Sequence, residues 1–197
     1  MSATRLLVLG VVRMYGRAHG YQVRRELLTW SADKWANVQP GSIYHALKKM
    51  TAEDLLEQVE VEPGESGPDR TAYRLTAEGE TEFQVMLAQA LSSPDPLGHD
   101  RSAAITLMTT LPRKRVIGLL RHQLVKLEGE EQTSRLLADE DESEHWGQPG
   151  HVRELYLLWR SQAEASANWL RGLIERLEAG EYRMADDPGR SFGRPPE

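Results

Sequence analysis

The sequence predicts a mainly α-helical chain with a small β element in its N-terminal half, and three observations carry that expectation. Apolar residues recur at three- and four-residue spacing through most of the chain. The period drops to two in one stretch, where Val59 and Val61 alternate with Gln58, Glu60 and Glu62, and Tyr73 and Leu75 alternate with Arg74 and Thr76. Glycine and proline gather at the places where one pattern gives way to the next.

Composition bounds what such a chain can do. With 197 residues, 40% apolar and 27% charged, it can bury the core of one domain or of two small ones. The absence of cysteine excludes a disulfide framework, a thiolate nucleophile and Cys-ligated zinc or iron-sulfur sites, and fits a cytoplasmic location. Leu6 to Val12 is the longest apolar run; it is too short to cross a membrane, and no cleavage pattern follows it before Arg13, Tyr15 and Arg17. A net charge of -6 argues against a nucleic-acid partner until its distribution is examined. Residues 1–50 carry Arg5, Arg13, Arg17, Arg24, Arg25, Lys34, Lys48 and Lys49 against only Glu26 and Asp33, so the acids lie elsewhere.

In chain order, Thr4 is placed to cap a first helix whose Leu6, Leu7, Leu9, Val12 and Met14 are too densely apolar for a surface position. Gly16 and Gly20 bracket a turn; G-R-A-H-G lacks the spacing and the Gly-Lys-Ser/Thr ending of a phosphate loop. Gly20 to Trp30 forms a second helix with Val23, Leu27 and Trp30 inward, and Ser31 to Gln39 connects it onward, Trp35 to Val38 being placed as a short strand.

The stretch V-Q-P-G-S-I-Y-H-A-L-K-K-M from Val38 to Met50 sorts its residues by face. Pro40 and Gly41 break the preceding pattern, Ser42 is placed as the N-cap, and Ile43, Leu47 and Met50 form an apolar seam. Opposite the seam stand Ser42, His45 and Lys49 in one stripe and Tyr44 and Lys48 in the next, with Gln39 just before them. These groups can donate to phosphate oxygens and base edges with no acid between them. An ordinary surface helix also has an apolar seam and a few lysines. Here, however, the preceding helix and the following hairpin, with its tip at Pro63 to Asp69, supply the surroundings of a winged helix-turn-helix.

Further on, Thr76 caps a helix running to about Leu91, and S-S-P-D-P at 92–96 marks a domain boundary. After Ala103 to Met108 and the break at Pro112 comes a long helix from Arg113 to Ala138 with Ile117, Leu120, Leu124 and Leu127 as its seam. The acidic run Asp139 to Glu144 reads as a solvated helix end. The last helix has the most regular period: Val152, Tyr156, Trp159, Ala163, Ser166, Leu170, Leu173 and Leu177 alternate four- and three-residue steps, widened by Leu155, Leu158 and Trp169. Packing on the preceding helix accounts for part of that stripe, and a second subunit is expected to cover the rest. The tail from Met184 reads as mobile.

Catalytic patterns are missing: there is no G-x-S-x-G and no H-E-x-x-H, and the histidines sit singly. His145 and His151 with Glu142 and Glu144 fit no usual metal-ligand spacing, so no metal and no cofactor is expected.

The motifs H-G-Y at 19–21, P-G-S-I-Y at 40–44, L-K-K-M at 47–50, D-L-L-E at 54–57 and Y-R-L-T-A-E-G at 73–79 resemble, in that order, the PadR family of bacterial transcriptional regulators. The resemblance covers about the first 90 residues, and the family's general layout extends through the helical remainder. It implies an N-terminal winged helix-turn-helix domain over 1–91, a C-terminal long-helix dimerisation domain over 97–180 and a tail over 181–197. It also implies a homodimeric repressor that binds a pseudo-palindromic operator in double-stranded DNA and is relieved by a ligand or signal. In this reading Gln39, Ser42, Tyr44, His45, Lys48 and Lys49 contact DNA, and Val152, Tyr156, Trp159, Leu170, Leu173 and Leu177 build the dimer. Trp146, Trp159 and Trp169 are candidates for a small-molecule effector pocket, although core packing is their more ordinary role. The wing departs from the family: G-P-D-R-T-A-Y-R-L-T from Gly67 replaces a pattern close to G-R-P-R-K-Y-Y-R-L-T, so only Arg70 and Thr71 carry over as phosphate contacts. That acidic wing keeps a second reading open, a winged-helix module for protein contacts without specific DNA binding. A regulated enzyme is third, with too few residues left for a catalytic domain.

Overall fold

The computed structural model describes residues 2–62, 70–94, 98–139, 149–193 and 195, with the side chains of 60–62, 70, 138 and 139 outside that description. Trp146, and His145 with Glu142 and Glu144, lie outside the described residues, as does the hairpin tip with Glu65 and Asp69. The chain forms two compact units: Met1–Leu91, Asp95–Val116 and Arg183–Glu197 make one, Ser92–Pro94 and Ile117–Tyr182 the other. No helix among the described residues is long and apolar enough to cross a membrane.

The first unit is built around α1 (Ala3–Tyr15), in which Leu6, Leu7, Val8, Leu9, Val11 and Val12 are all fully buried. A helix that is apolar on every side must be covered on every side. This explains why the unit takes in more than the expected residues 1–91. Part of the cover is α6 (His99–Leu107): a Cβ at Gly10 would lie 2.6 Å from Leu107 Cδ1, so glycine sets how closely the two helices approach. Ser2, not Thr4, stands at the N-cap, and it makes no side-chain capping bond.

Around α1 lie β1 (Ala18–His19), α2 (Gly20–Thr29), the single turn α3 (Ala32–Trp35), α4 (Pro40–Ala52), β2 (Leu56–Glu62), β3 (Arg70–Leu75) and α5 (Ala77–Ser92). The sheet is antiparallel in the order β1-β3-β2, with a bulge between Gln58 and Glu60. The third strand is therefore Ala18–His19, which pairs with Tyr73 and Ala72. Trp35 to Val38, expected as that strand, instead closes the turn of α3. Ser31 (φ 55) and Asn37 (φ 52) flank α3 in the left-handed region, where short polar side chains are tolerated.

In the second unit α7 (Arg113–Asp139), from Ile117 onward, runs antiparallel to α8 (Arg153–Glu178): early residues of one pair with late residues of the other in Arg121–Glu178 (2.6 Å), Glu128–Arg171 (2.7 Å) and Glu131–Arg160 (3.9 Å). Exposed pairs of this kind contribute about 0–1 kcal/mol each, so the apolar seam does most of the holding. On α8 that seam is Ala163, Ala167, Leu170, Leu173, Ile174 and Leu177, and on α7 it includes Leu120 and Leu127. Ile117 and Leu124 are only half-buried. Gln123 is buried instead, and its amide donates to Ser93 O at 2.9 Å.

The final segment, expected to be mobile, is packed on the first unit. Ala185 N–H donates to Leu111 O (3.3 Å), and Asp187 accepts from Met184 N–H (2.8 Å) and pairs with Arg113. The Met184 N–H bond and the Arg113 charge hold the Asp187 carboxyl below its ordinary 3.8. A carboxylate whose folded-state pKa is depressed stabilises the fold above its unfolded value, and the contribution is lost as pH falls through the folded value. Asp187→Asn is expected to lower the melting temperature near neutral pH, with the difference from wild type closing as both are acidified below 3.8. A difference that persisted at about pH 2 would show that the charge of Asp187 is not what acts.

Candidate nucleic-acid interface

Helix α4 begins two residues before the expected cap. Gln39 is the N-cap and Pro40 occupies the first turn, where its missing N–H costs nothing. Ser42 sits at the third helical position, and its hydroxyl accepts from Gln39 N–H at 3.0 Å and lies 2.7 Å from Gln39 O, to which it can donate. The Gln39 side chain in turn accepts from the Ser42 backbone, a reciprocal capping box. Both residues thus start the helix as well as stand at its exposed end.

The helix ends on a second capping arrangement. Asp54 (φ 58) takes the left-handed position, its N–H donates to Thr51 O (3.2 Å), and Leu55 N–H reaches back to Met50 O (2.9 Å). Between the caps the faces separate as the spacing requires. Ile43, Ala46, Leu47 and Met50 are buried, while Tyr44, His45, Lys48 and Lys49 are exposed together on the outside.

The exposed residues differ in how free they are. Lys49 shares Glu53 at 3.9 Å, and Glu53 also holds Arg5 at 2.6 Å. Lys48 forms no ion pair among the described residues, which leaves its charge for an outside partner. Tyr44 has two roles. Although 48% exposed, its ring covers Gly20, where a Cβ would meet Tyr44 Cε1 at 2.7 Å. Tyr73 of β3 lies close to it, and burial first and Tyr44 second raise the Tyr73 pKa above its ordinary 10.0. Tyr44 therefore also ties α4 to the start of α2 and to the sheet, a role that sequence reasoning missed because nothing in a one-dimensional pattern marks a ring lying over a glycine.

Helix α2 adds exposed Arg24 and Arg25, and Lys34 of α3 is exposed as well. Its inner side is held by a chain of bonds: Tyr15 hydroxyl to Glu26 (2.8 Å), Trp30 Nε1 to Glu26 (3.1 Å) and Trp35 Nε1 to Trp30 O (2.8 Å). The Glu26 carboxylate, by accepting that hydroxyl, raises the Tyr15 pKa above 10.0. On the wing, Glu57 is paired with Arg74 at 2.9 Å, so this acid is compensated within the hairpin. Thr71 is half-buried opposite Val61, and the side chain of Arg70 lies outside the described residues. Where the wing meets α5, Thr76 accepts from Gly79 N–H (3.0 Å) and donates to Asp54 O (2.6 Å).

Of the residues expected to form a dimer, Leu170, Leu173 and Leu177 are fully buried within the chain's own second unit. Val152 and Tyr156 are half-buried, and Trp159, edge-on to Tyr156 at 5.7 Å, is 45% exposed. Leu155, Leu158 and Trp169 are exposed with it. Trp159 and Trp169 thus stand at the surface, and a cleft of about 190 Å³ in this unit is lined by Glu128, Glu131, Glu164, Ala167, Asn168 and Arg171 rather than by tryptophan. Among the described residues no cluster of His, Asp or Glu has the arrangement of a metal site.

A helix packed behind a second helix whose outer face is basic and aromatic, followed by the hairpin β2-β3 with β1 on the other edge of β3, defines a winged helix-turn-helix fold. Over residues 8–85 the chain is similar to the family model described as the Transcriptional regulator PadR-like family. No curated protein matches the chain. Among solved structures it is similar to Bacillus subtilis PadR in complex with operator DNA (18% identity, 88% of this chain and 98% of that chain, TM-score 0.40) and to the same protein with p-coumaric acid (17%, 89% and 96%, TM-score 0.38). It is similar also to that PadR alone, at 18% identity over 89% of this chain and 95% of the other, with a TM-score of 0.38.

Proposed function

We propose that this chain is a sequence-specific DNA-binding transcriptional regulator that acts as a homodimeric repressor, with α4 as the helix that enters the major groove. One observation carries the reading: α4 buries one face completely and exposes Tyr44, His45, Lys48 and Lys49 together on the other, within the family-matched region. Lys48 and Lys49 supply phosphate contacts, while His45 and the Tyr44 hydroxyl supply donors and acceptors for base edges. Arg24, Arg25 and Lys34 extend the positive surface.

A single short helix reads few base pairs, so two copies are needed to read two half-sites. The exposed apolar residues Leu155, Leu158, Trp159 and Trp169 of α8 support a second copy as the cover for this helix. Relief by a ligand or signal is part of the same reading and rests on the family.

The test is to select duplexes from random sequence with the full-length protein and titrate the selected duplex against variants over a range of salt. Lys48→Ala should weaken binding more than Lys49→Ala, because Lys49 is partly neutralised by Glu53. It should also flatten the log-log salt dependence by about 0.9 for each phosphate that the variant no longer neutralises. Tyr44→Phe is the informative change at that position, since it removes the hydroxyl and keeps the ring over Gly20. If folded Lys48→Ala and His45→Ala proteins bind the selected duplex with wild-type affinity and salt slope, α4 does not read DNA and a protein-contact module becomes the better account.

A further inference from the structure

The last part of the chain returns to the first unit and is fitted there in detail. After α8 ends, residues 183–193 run past Leu111 and Arg113, bury Met184 and Ser191, and finish against α1, α2 and the turn after α6. Three contacts fix the end. Thr109 hydroxyl donates to Phe192 O (3.0 Å), Arg13 Nη1 donates to Gly193 O (3.1 Å), and the Phe192 ring lies 5.6 Å from the Trp30 ring. Gly193 has φ 78, and a Cβ there would stand 2.6 Å from Thr110 Cγ2, so backbone and space both require glycine at this point.

Trp30 is the residue on which α2 ends. Its N–H closes the last turn on Glu26 O (3.1 Å), its ring N–H holds the Glu26 carboxylate, and its carbonyl accepts from Trp35. Phe192 therefore touches Trp30, whose ring is bonded to Glu26 of α2 and whose backbone carbonyl accepts from the Trp35 side chain of α3, on the connection that leads into α4. Arg13, which holds Gly193, is also ion-paired to Glu80 of α5 at 2.8 Å and lies over the Phe83 ring at 5.3 Å. A C-terminal segment with no regular structure is thus tied to α1 through Arg13, to the end of α2 through Trp30 and to the turn after α6 through Thr109.

We infer that residues 183–193 are a strap that locks the α2–α3 connection, and that release of the strap loosens this part of the unit. The strap is the direct continuation of α8, so the covalent chain itself links the end of that helix to the connection before α4. The last step of that link, from the strap to the end of α2, is the contact of the Phe192 ring with the Trp30 ring. The strap holds its place whether or not α4 reads DNA.

Hydrogen exchange on the full-length protein tests this, comparing wild type with Phe192→Ala and Gly193→Val. Both variants should speed exchange of the amides from Leu27 to Trp30 and in α3 by about tenfold, while amides in the interior of α8 from Ala163 to Leu173 keep wild-type protection. If Gly193→Val fails to fold, Phe192→Ala decides alone by the same amides, since a ring 46% exposed is not needed to form the core. Unchanged protection of α2 and α3 in folded Phe192→Ala overturns the inference, and so does loss of protection spread evenly over both units.

Discussion

Leu158→Asp and Trp159→Asp should each give a folded monomer that has lost operator affinity by on the order of 10²–10⁴-fold, the avidity that joining two half-site readers provides. Both side chains are about half exposed on α8, so neither is needed to complete the chain's own seam. Placed at a subunit contact, an aspartate would bury an unpaired charge at a cost of several kcal/mol, more than such a contact can absorb. Leu173→Asp is the contrasting variant. With Leu173 only 2% exposed, the same charge would fall inside the second unit and should abolish helix content instead of separating two intact subunits. Sedimentation and circular dichroism distinguish the two outcomes, and a titration of the selected duplex completes the comparison. If both surface variants sediment as wild type does and bind DNA equally well, the exposed face of α8 is not where two copies meet.

Gly79→Ala should be among the most damaging single-methyl changes in the molecule. A Cβ at Gly79 would lie 2.0 Å from Leu55 O, and this carbonyl accepts from Thr76 N–H at 3.2 Å. A backbone atom cannot swing aside as a leucine tip can, so the start of α5 must move off the end of the wing and break the Thr76 bonds to Gly79 and Asp54. The loss should reach or exceed the upper end of the roughly 1–3 kcal/mol typical of overpacking. Gly118→Ala is the control: the position is in α7 with nothing within 4 Å, so the substitution should stabilise by up to about 1 kcal/mol through helix propensity. Denaturant titration of the two variants measures both, and equal midpoints would refute the steric account. The same geometry gives a physical reason for the Thr76–Gly79 part of the sequence motif, as the Tyr44 ring does for Gly20.

Much of this protein is determined locally and can be read from the sequence. Period alone separates the helices from the hairpin, and in α4 it sorts Ile43, Leu47 and Met50 from Tyr44, His45, Lys48 and Lys49, because 3.6 residues per turn assigns each side chain a face before anything packs on it. The charge asymmetry of residues 1–50 is likewise a property of order along the chain. Other features were decided only by tertiary structure. A strand of two residues, Ala18–His19, has no period to detect and exists because β3 offers an unpaired edge. On α8 the pattern required that Leu170, Leu173 and Leu177 face something apolar, but the antiparallel α7 partner determined that this something was the same chain, leaving Leu155, Leu158 and Trp159 outside. The polar, proline-containing tail reads as mobile because each of its own residues has little to bury. Its order comes from Arg13, Trp30 and Thr109, partners more than eighty residues away whose contacts no local signal encodes.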